Sequence, residues 1–247
     1  AETDALALED VHAQRYLGCA MPEGKRLEIH GTPGNDLACY MDGGSIEVFG
    51  NAQDQVGNTM NGGEVVIHGR CGDATGYGMR GGRIFIRDDC GWRVGVHMKE
   101  YADRRPAIVI GGDAGSFLGE YQAGGIIVLM GHAGAYLATG MHGGVIYLAH
   151  PLAQQDVRAG LVQEPVDADD LGSPARRVRA PVRRRTGAAL HPSGGLLAPA
   201  PRKLAPVRLG VRRLRRALDP PTHNGNIIDS KSKRGGRLAE THSPYDG

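Results

Sequence analysis

The sequence predicts an all-β solenoid: a parallel β-helix of about eight coils over residues 5–150, followed by a basic tail of low order over 151–247. Three observations carry that prediction. Met41, Met60, Met79 and Met98 are each 19 residues apart, Gln122 takes the next place after 24, Met141 follows 19 later, and Met21 precedes Met41 by 20. Six of the seven methionines therefore share one register. A Gly-Gly pair recurs in the same register at 43–44, 62–63, 81–82, 124–125 and 143–144. Composition then changes near His150. Residues 1–150 carry 11 Lys and Arg against 18 Asp and Glu and hold 29 of the 39 glycines, whereas 11 of the 14 prolines come later.

Each coil can be justified in turn. The opening ALALEDVHAQRYLG looks like an amphipathic helix closed by Gly18. Yet HAQRYLGCAM, ending at Met21, superposes without a gap on NAQDQVGNTM, ending at Met60, so residues 5–21 read as the first coil. Leu27-x-Ile29, Ile46-x-Val48, Val65-Val66-Ile67, Ile84-Phe85-Ile86, Ile108-Val109-Ile110, Ile126-Ile127-Val128 and Val145-Ile146-Tyr147 supply a short strand to each later coil. A small residue follows in register (Pro33, Ala52, Cys71, Cys90, Ala114, Ala133), and four residues on stand Leu37, Val56, Thr75, Val94, Leu118 and Leu137. Gly or Ala comes next, at 38, 57, 76, 95, 119 and 138. A coil this short cannot bury its own apolar side chains. Stacking copies about 4.8 Å apart pairs the backbones and lines up like residues, and unbranched methionine packs well on itself inside a narrow tube. The stretch KEYADRRP after Met98, where this coil is longer than the others, should bulge from one edge as a loop.

The tail is a different polypeptide. Residues 151–247 carry 18 basic against 9 acidic residues, and 171–218 hold 12 Arg and one Lys with no Asp or Glu. The stretch PARRVRAPVRRRTGAAL has neither a helical nor a strand period, and such composition cannot offset ordering entropy. No aromatic residue punctuates 171–218, so base stacking is not offered and nucleic acid is not the expected partner. No apolar run approaches the length needed to cross a bilayer, and the N-terminus lacks a signal-peptide profile. Cys19, Cys39, Cys71 and Cys90 form no CxxC pair, so a reducing, cytoplasmic setting is expected.

Candidate chemistry reduces to a few columns. Asn35, Asp54 and Asp73 share one place on successive coils, where two carboxylates could hold calcium or act as an acid/base pair. Short polar residues also favour corners by bonding the backbone, and the column ends at Trp92, Ser116 and Ala135. Cys71 and Cys90 share a column as small buried residues. His30 and His68 stand two coils apart, too far to chelate one metal. His97 and His142 belong to turns, and Lys99-Glu100-Tyr101 opens the inserted loop. GGDAGSFLG and GHAGAYLATG resemble phosphate loops but do not lie between a strand and a helix. No catalytic, cofactor-binding or metal-ligating residue is assigned.

The phrases GTPGNDL, GNAQDQVGNTMNGG, GDATGYGMRGG, VGVHMKEY and GMHGGVIY resemble the GXGXG domain at the C-terminus of the glutamate synthase large (alpha) subunit, and more closely the stand-alone proteins carrying only that domain. The resemblance covers about residues 5–150. It implies a right-handed β-helix that is not catalytic, serving as a scaffold in an oxidoreductase complex of glutamate biosynthesis. Amidotransferase and FMN/iron–sulfur subunits would be its partners, with FMN and the iron–sulfur cluster held only there; a homo-oligomer is the other assembly to expect. Two further readings stand beside it: the equivalent scaffold component of a formylmethanofuran-dehydrogenase-type complex, and an independent carbohydrate-cleaving β-helix using Asp54 and Asp73.

Overall fold

One apolar phrase per repeat becomes one short strand per coil. In the computed structural model, which describes residues 4–166 and 207–211, the strands are β1 (Ala5–His12), β2 (Arg26–Thr32), β3 (Ser45–Phe49), β4 (Glu64–Ile67), β5 (Arg83–Ile86), β6 (Ala107–Ile110), β7 (Ala123–Leu129) and β8 (Gly143–Leu148). Each pairs in parallel with the next, and the register stacks like on like: Leu27, Ile46, Val65, Ile84, Ile108, Ile127 and Ile146 form one continuous column. The result is a parallel β-solenoid of about eight turns. The first residues are strand and not helix, as the internal repeat required.

Stacked inward columns fill the tube, two of them from alternate strand residues such as Ile46 and Val48. The strand residues meet the methionine column, in which Met41, Met60, Met79 and Met98 are all fully buried. On a second side the small residues Cys71, Cys90, Ala114 and Ala133 bridge in parallel from coil to coil. A further column, Leu37 to Leu137, includes Thr75, whose buried hydroxyl donates to the Gly72 carbonyl at 3.3 Å.

The side of each coil that closes back to the methionine is an arc with three left-handed residues in alternation. Gln55, Gly57 and Thr59 have φ of 60°, 67° and 55°, and the same places recur as Arg93, Gly95, His97 and Phe117, Gly119, Tyr121. Rungs of backbone hydrogen bonds hold these arcs together: Gln55 N donates to Asp73 O at 2.8 Å, Gly57 N to Leu37 O at 2.8 Å, and Thr59 N to Tyr77 O at 2.8 Å. The middle residue is small for a packing reason. A Cβ at Gly57 would lie 2.5 Å from Cδ1 of Ile84, and one at Gly95 would lie 2.7 Å from Cδ1 of Ile127. Ala38 holds the same place at φ 60°. By the same register it faces Val65, which lacks that terminal methyl group. Glycine stands opposite isoleucine, and Ala38 opposite valine.

The strand wall is apolar on both faces over its later coils. Val66, Phe85, Ala107, Val109 and Ile126 point away from the tube interior, yet all are buried and form a second cluster, with Phe85 only 1% exposed. Their burial explains why the phrases here read Val-Val-Ile and Ile-Phe-Ile, whereas Ile46-x-Val48 alternates with the half-exposed Glu47. The insertion after Met98 is a small loop with residues 100–105 exposed, drawn together by an antiparallel bridge between Tyr101 and Arg104.

Beyond His150 the sheet continues. A single 3-10 turn (Gln154–Asp156) leads to β9 (Leu161–Pro165), and β10 (Val207–Val211) lies antiparallel between β8 and β9. The remainder of the stretch expected to lack order lies outside the described residues. The two ends of the sheet therefore differ. Antiparallel strands follow β8, whereas among the described residues β1 pairs on one side only, with a register shift between Leu8 and Val11 where Asp10 takes φ of 51°. A bulge with Glu9 and Asp10 is a usual protection for such an edge.

Candidate functional site

The acidic column has a structural occupation. Oδ1 of Asn35 accepts the backbone N–H of Asp54 at 3.3 Å, Oδ1 of Asp54 accepts that of Asp73 at 2.8 Å, and Oδ1 of Asp73 accepts that of Trp92 at 2.7 Å. Each side chain thus holds the rung that follows it, through one oxygen of each carboxylate. A second column of the same kind escaped the sequence reading. Asn51 accepts from Arg70 N at 3.0 Å, Asp89 from Asp113 N at 2.9 Å, and Asp113 from His132 N at 2.7 Å. That N–H, and then the His132 ring, outweigh slight burial and hold the Asp113 carboxyl below the ordinary carboxylate range. The overlooked signal was a glycine one residue before the N–H that is bound. A Cβ on Gly72 would strike Oδ1 of Asp54, and one on Gly91 would strike Oδ1 of Asp73. The phrase Gly72-Asp73 is therefore half of two interlocks at once.

The remaining sequence candidates separate. His30 and His68 are two coils apart with Phe49 stacked between them, at ring distances of 4.8 and 4.9 Å. Each imidazole reaches its own carboxylate, His30 to Glu28 at 2.8 Å and His68 to Glu47 at 2.9 Å. His142 is exposed beside the Gly140 carbonyl. Glu100 pins the inserted loop: its Oε1 accepts Arg105 Nε at 2.6 Å and the backbone N–H of Gly125 at 3.0 Å. Burial raises the Glu100 carboxyl, but these bonds more than offset it and leave it below its ordinary value. Beside the loop runs a shallow groove of about 440 Å³ flanked by Glu23, Asp42, Glu64, Arg83 and Arg105, in which Arg83 pairs with Glu64 at 3.2 Å. The cysteines stand as two pairs, Cys19 with Cys39 on the arc of the first coils and Cys71 with Cys90 on the small-residue wall. They do not converge as the ligands of an iron–sulfur cluster must.

The arc carries the surface with most chemical character. Its outer places hold exposed rings on most coils: Tyr16, Tyr40, Tyr77, Tyr121 and Tyr136. The rings are organised along the solenoid. His97 stacks on Tyr121 at 5.2 Å and meets Tyr77 edge-on at 5.9 Å, and Phe117 stacks on Tyr136 at 4.8 Å. Arginines lie over them, Arg93 on Phe117 at 4.8 Å and Arg15 on Tyr16 at 5.0 Å. Arg93 is further fixed by Glu120 at 2.7 Å. Rings stacked along the axis present their edges and phenolic tips outward, so each can bury apolar area while keeping a polar end. Exposed Tyr and Arg in one strip is the composition of a protein interface centre.

Among the described residues no helix is long and apolar enough to cross a membrane. An uncharacterized protein of Methanocaldococcus jannaschii, MJ1350, is 51% identical over 124 residues, which are 50% of this chain and 48% of that protein. The chain thus spans about half the length of that relative. A family model described as the GXGXG motif matches residues 5–180, continuing past the point near residue 150 where the quoted phrases stop. The chain belongs to the GXGXG motif family, the family of the C-terminal domain of the glutamate synthase alpha subunit.

Proposed function

We propose that the chain is a non-catalytic β-solenoid scaffold of a glutamate-synthase-like oxidoreductase complex acting in glutamate biosynthesis in the cytoplasm. The observation that carries this reading is the strip of exposed Tyr and Arg along the arc, set against acidic columns whose Oδ1 atoms are engaged in holding coils together. Membership of the GXGXG family supplies the context. In this reading partner subunits provide glutamine hydrolysis and hold FMN and iron–sulfur, while this chain provides a rigid edge of fixed spacing on which they dock.

The test is native co-purification of the full chain from its own cells, with identification of the captured proteins and a flavin absorbance scan, beside a Tyr121→Ser/Tyr136→Ser variant. Amidotransferase and flavin-containing subunits bound to the wild type and released by the variant are the expected result. A molybdenum- or tungsten-containing protein in their place would move the chain to a formylmethanofuran-dehydrogenase-type assembly. A solitary protein with polysaccharide-cleaving activity that is lost in Asp54→Ala and Asp73→Ala would overturn the scaffold reading.

A further inference from the structure

Two pairs of thiols stand on adjacent coils, and they differ in one respect. Cys71 and Cys90 are partners in a parallel bridge and are both buried, at 6% and 7% exposure. Cys19 and Cys39 are neighbours on the arc, bracketed by Ala20 N donating to Cys39 O at 2.9 Å and Ala38 N donating to Leu17 O at 2.9 Å. Of these two, Cys19 is exposed and Cys39 is buried at 2%. Stacked coils stand about 4.8 Å apart, inside the range of roughly 4.4–6.8 Å between Cα atoms that a disulfide accepts, and the backbone rungs on either side set the two residues at the same place on consecutive coils. Of the two pairs, this one alone has a sulfur that solvent can reach.

We propose that Cys19 and Cys39 are an oxidation-responsive dithiol whose disulfide staples the first coil of the solenoid to the second. The oxidant is a peroxide. The Cys19 thiolate attacks one peroxide oxygen, the O–O bond breaks, and Cys19 becomes a sulfenic acid as hydroxide leaves and takes up a proton. The Cys39 sulfur then gives up its proton and attacks the Cys19 sulfur; the S–S bond forms, the S–O bond breaks and a second water departs. Two thiols lose two electrons in all, and one peroxide is reduced to two waters. Burial, followed by the adjoining Cys19 thiol, pushes Cys39 up to about 12, so Cys39 stays protonated and Cys19 is the sulfur that meets the oxidant first.

The place gives the bond a consequence. The first coil includes β1, which among the described residues is paired on one side only, and terminal units of a solenoid are those that open most readily. The exposed rings of Tyr16 and Tyr40 flank the pair, so the staple fixes the end of the aromatic strip. This inference does not depend on which partner docks there.

The purified full chain is treated with hydrogen peroxide, quenched, and alkylated in denaturant before peptide mapping, with amide exchange followed in parallel. The expected product has lost two hydrogens, links Cys19 to Cys39, and carries alkyl groups on Cys71 and Cys90. Exchange at coil-one amides such as Ala13 and Ala20 should slow by at least roughly tenfold. The Cys19→Ser variant, altered only at an exposed position, should show neither change. Four alkylated thiols after treatment, Cys19 driven to sulfinic acid without linkage, or Cys71–Cys90 linking before Cys19–Cys39 would each overturn the proposal.

Discussion

The pairing of glycine with isoleucine and alanine with valine on the arc predicts a specific energetic coupling. In Gly57→Ala the new Cβ would lie 2.5 Å from Cδ1 of Ile84, about 1 Å short of ordinary carbon–carbon contact. The residue must also keep φ of 67°, which costs an L-residue roughly 1–2 kcal/mol. A loss of roughly 0.4–1 kcal/mol of unfolded-state freedom works in the opposite direction. With roughly 1–3 kcal/mol for the overlap, the single substitution should cost roughly 2–4 kcal/mol. Ile84→Val alone removes one buried methyl and should cost roughly 0.5–1.5 kcal/mol. The double variant recreates the native Ala38–Val65 arrangement, so the overlap disappears and the two costs should fall short of their sum by roughly 1–3 kcal/mol. Thermal unfolding of the four proteins measures this, since 1 kcal/mol moves the midpoint by roughly 2–4 °C in a chain of this size. Additivity within about 0.5 kcal/mol would refute the reasoning. It would mean that Ile84 changes rotamer freely and that the small middle column answers to backbone conformation alone.

Three further outcomes follow from the described contacts. Gln122 is fully buried in the methionine column; its Nε2 donates to the carbonyls of Gly124 and Gly125, but no protein donor reaches its Oε1. The neighbouring coils place Met98 and Met141 there, so Gln122→Met should raise stability by about 1 kcal/mol, while Met60→Gln should lower it by roughly 2–4 kcal/mol in the same melting assay. Asp73→Ala leaves Trp92 N–H without its acceptor and should cost about 1 kcal/mol, whereas Asp73→Asn keeps an acceptor and should be nearly neutral, a difference that denaturant titration resolves. The third concerns pH. Because the Glu100 carboxyl lies below its ordinary value in the folded chain, its contribution is full above the ordinary glutamate range and is lost as pH falls through the lowered value. Midpoints of wild type and Glu100→Gln measured against pH should therefore converge on acidification.

How much was legible follows from what a repeat can encode. Columns of identical residues were readable because stacking places position upon position, so Met41, Met60, Met79 and Met98 revealed the coil without any knowledge of its shape. The interlock of Asp54 with Gly72 was harder, since it joins different places in consecutive repeats and needs the direction of a side chain along the axis. The Cys19–Cys39 pair was hidden by a spacing of 20 where the neighbouring repeats use 19. Left-handed backbone at Arg93, His97, Phe117 and Tyr121 could not be read from residue type, because propensity disfavours it and the rungs between arcs override propensity. Strand β10 was illegible for a different reason: Val207–Val211 sits in an arginine-rich context, and only the unsatisfied edge of β8 gives it a place.

The insertion after Met98 separates two quantities that the other coils confound, length and alignment. It lengthens one turn by five residues, from the 19 between Met79 and Met98 to the 24 between Met98 and Gln122. Yet Ile84 still pairs with Ile108, and Asp89 still receives the N–H of Asp113. Alignment is restored because the excess leaves and rejoins at the Gly-Gly corner, where Glu100 ties the loop to Gly125. That corner is therefore a port through which the lineage can change what the solenoid displays without renegotiating how it is built.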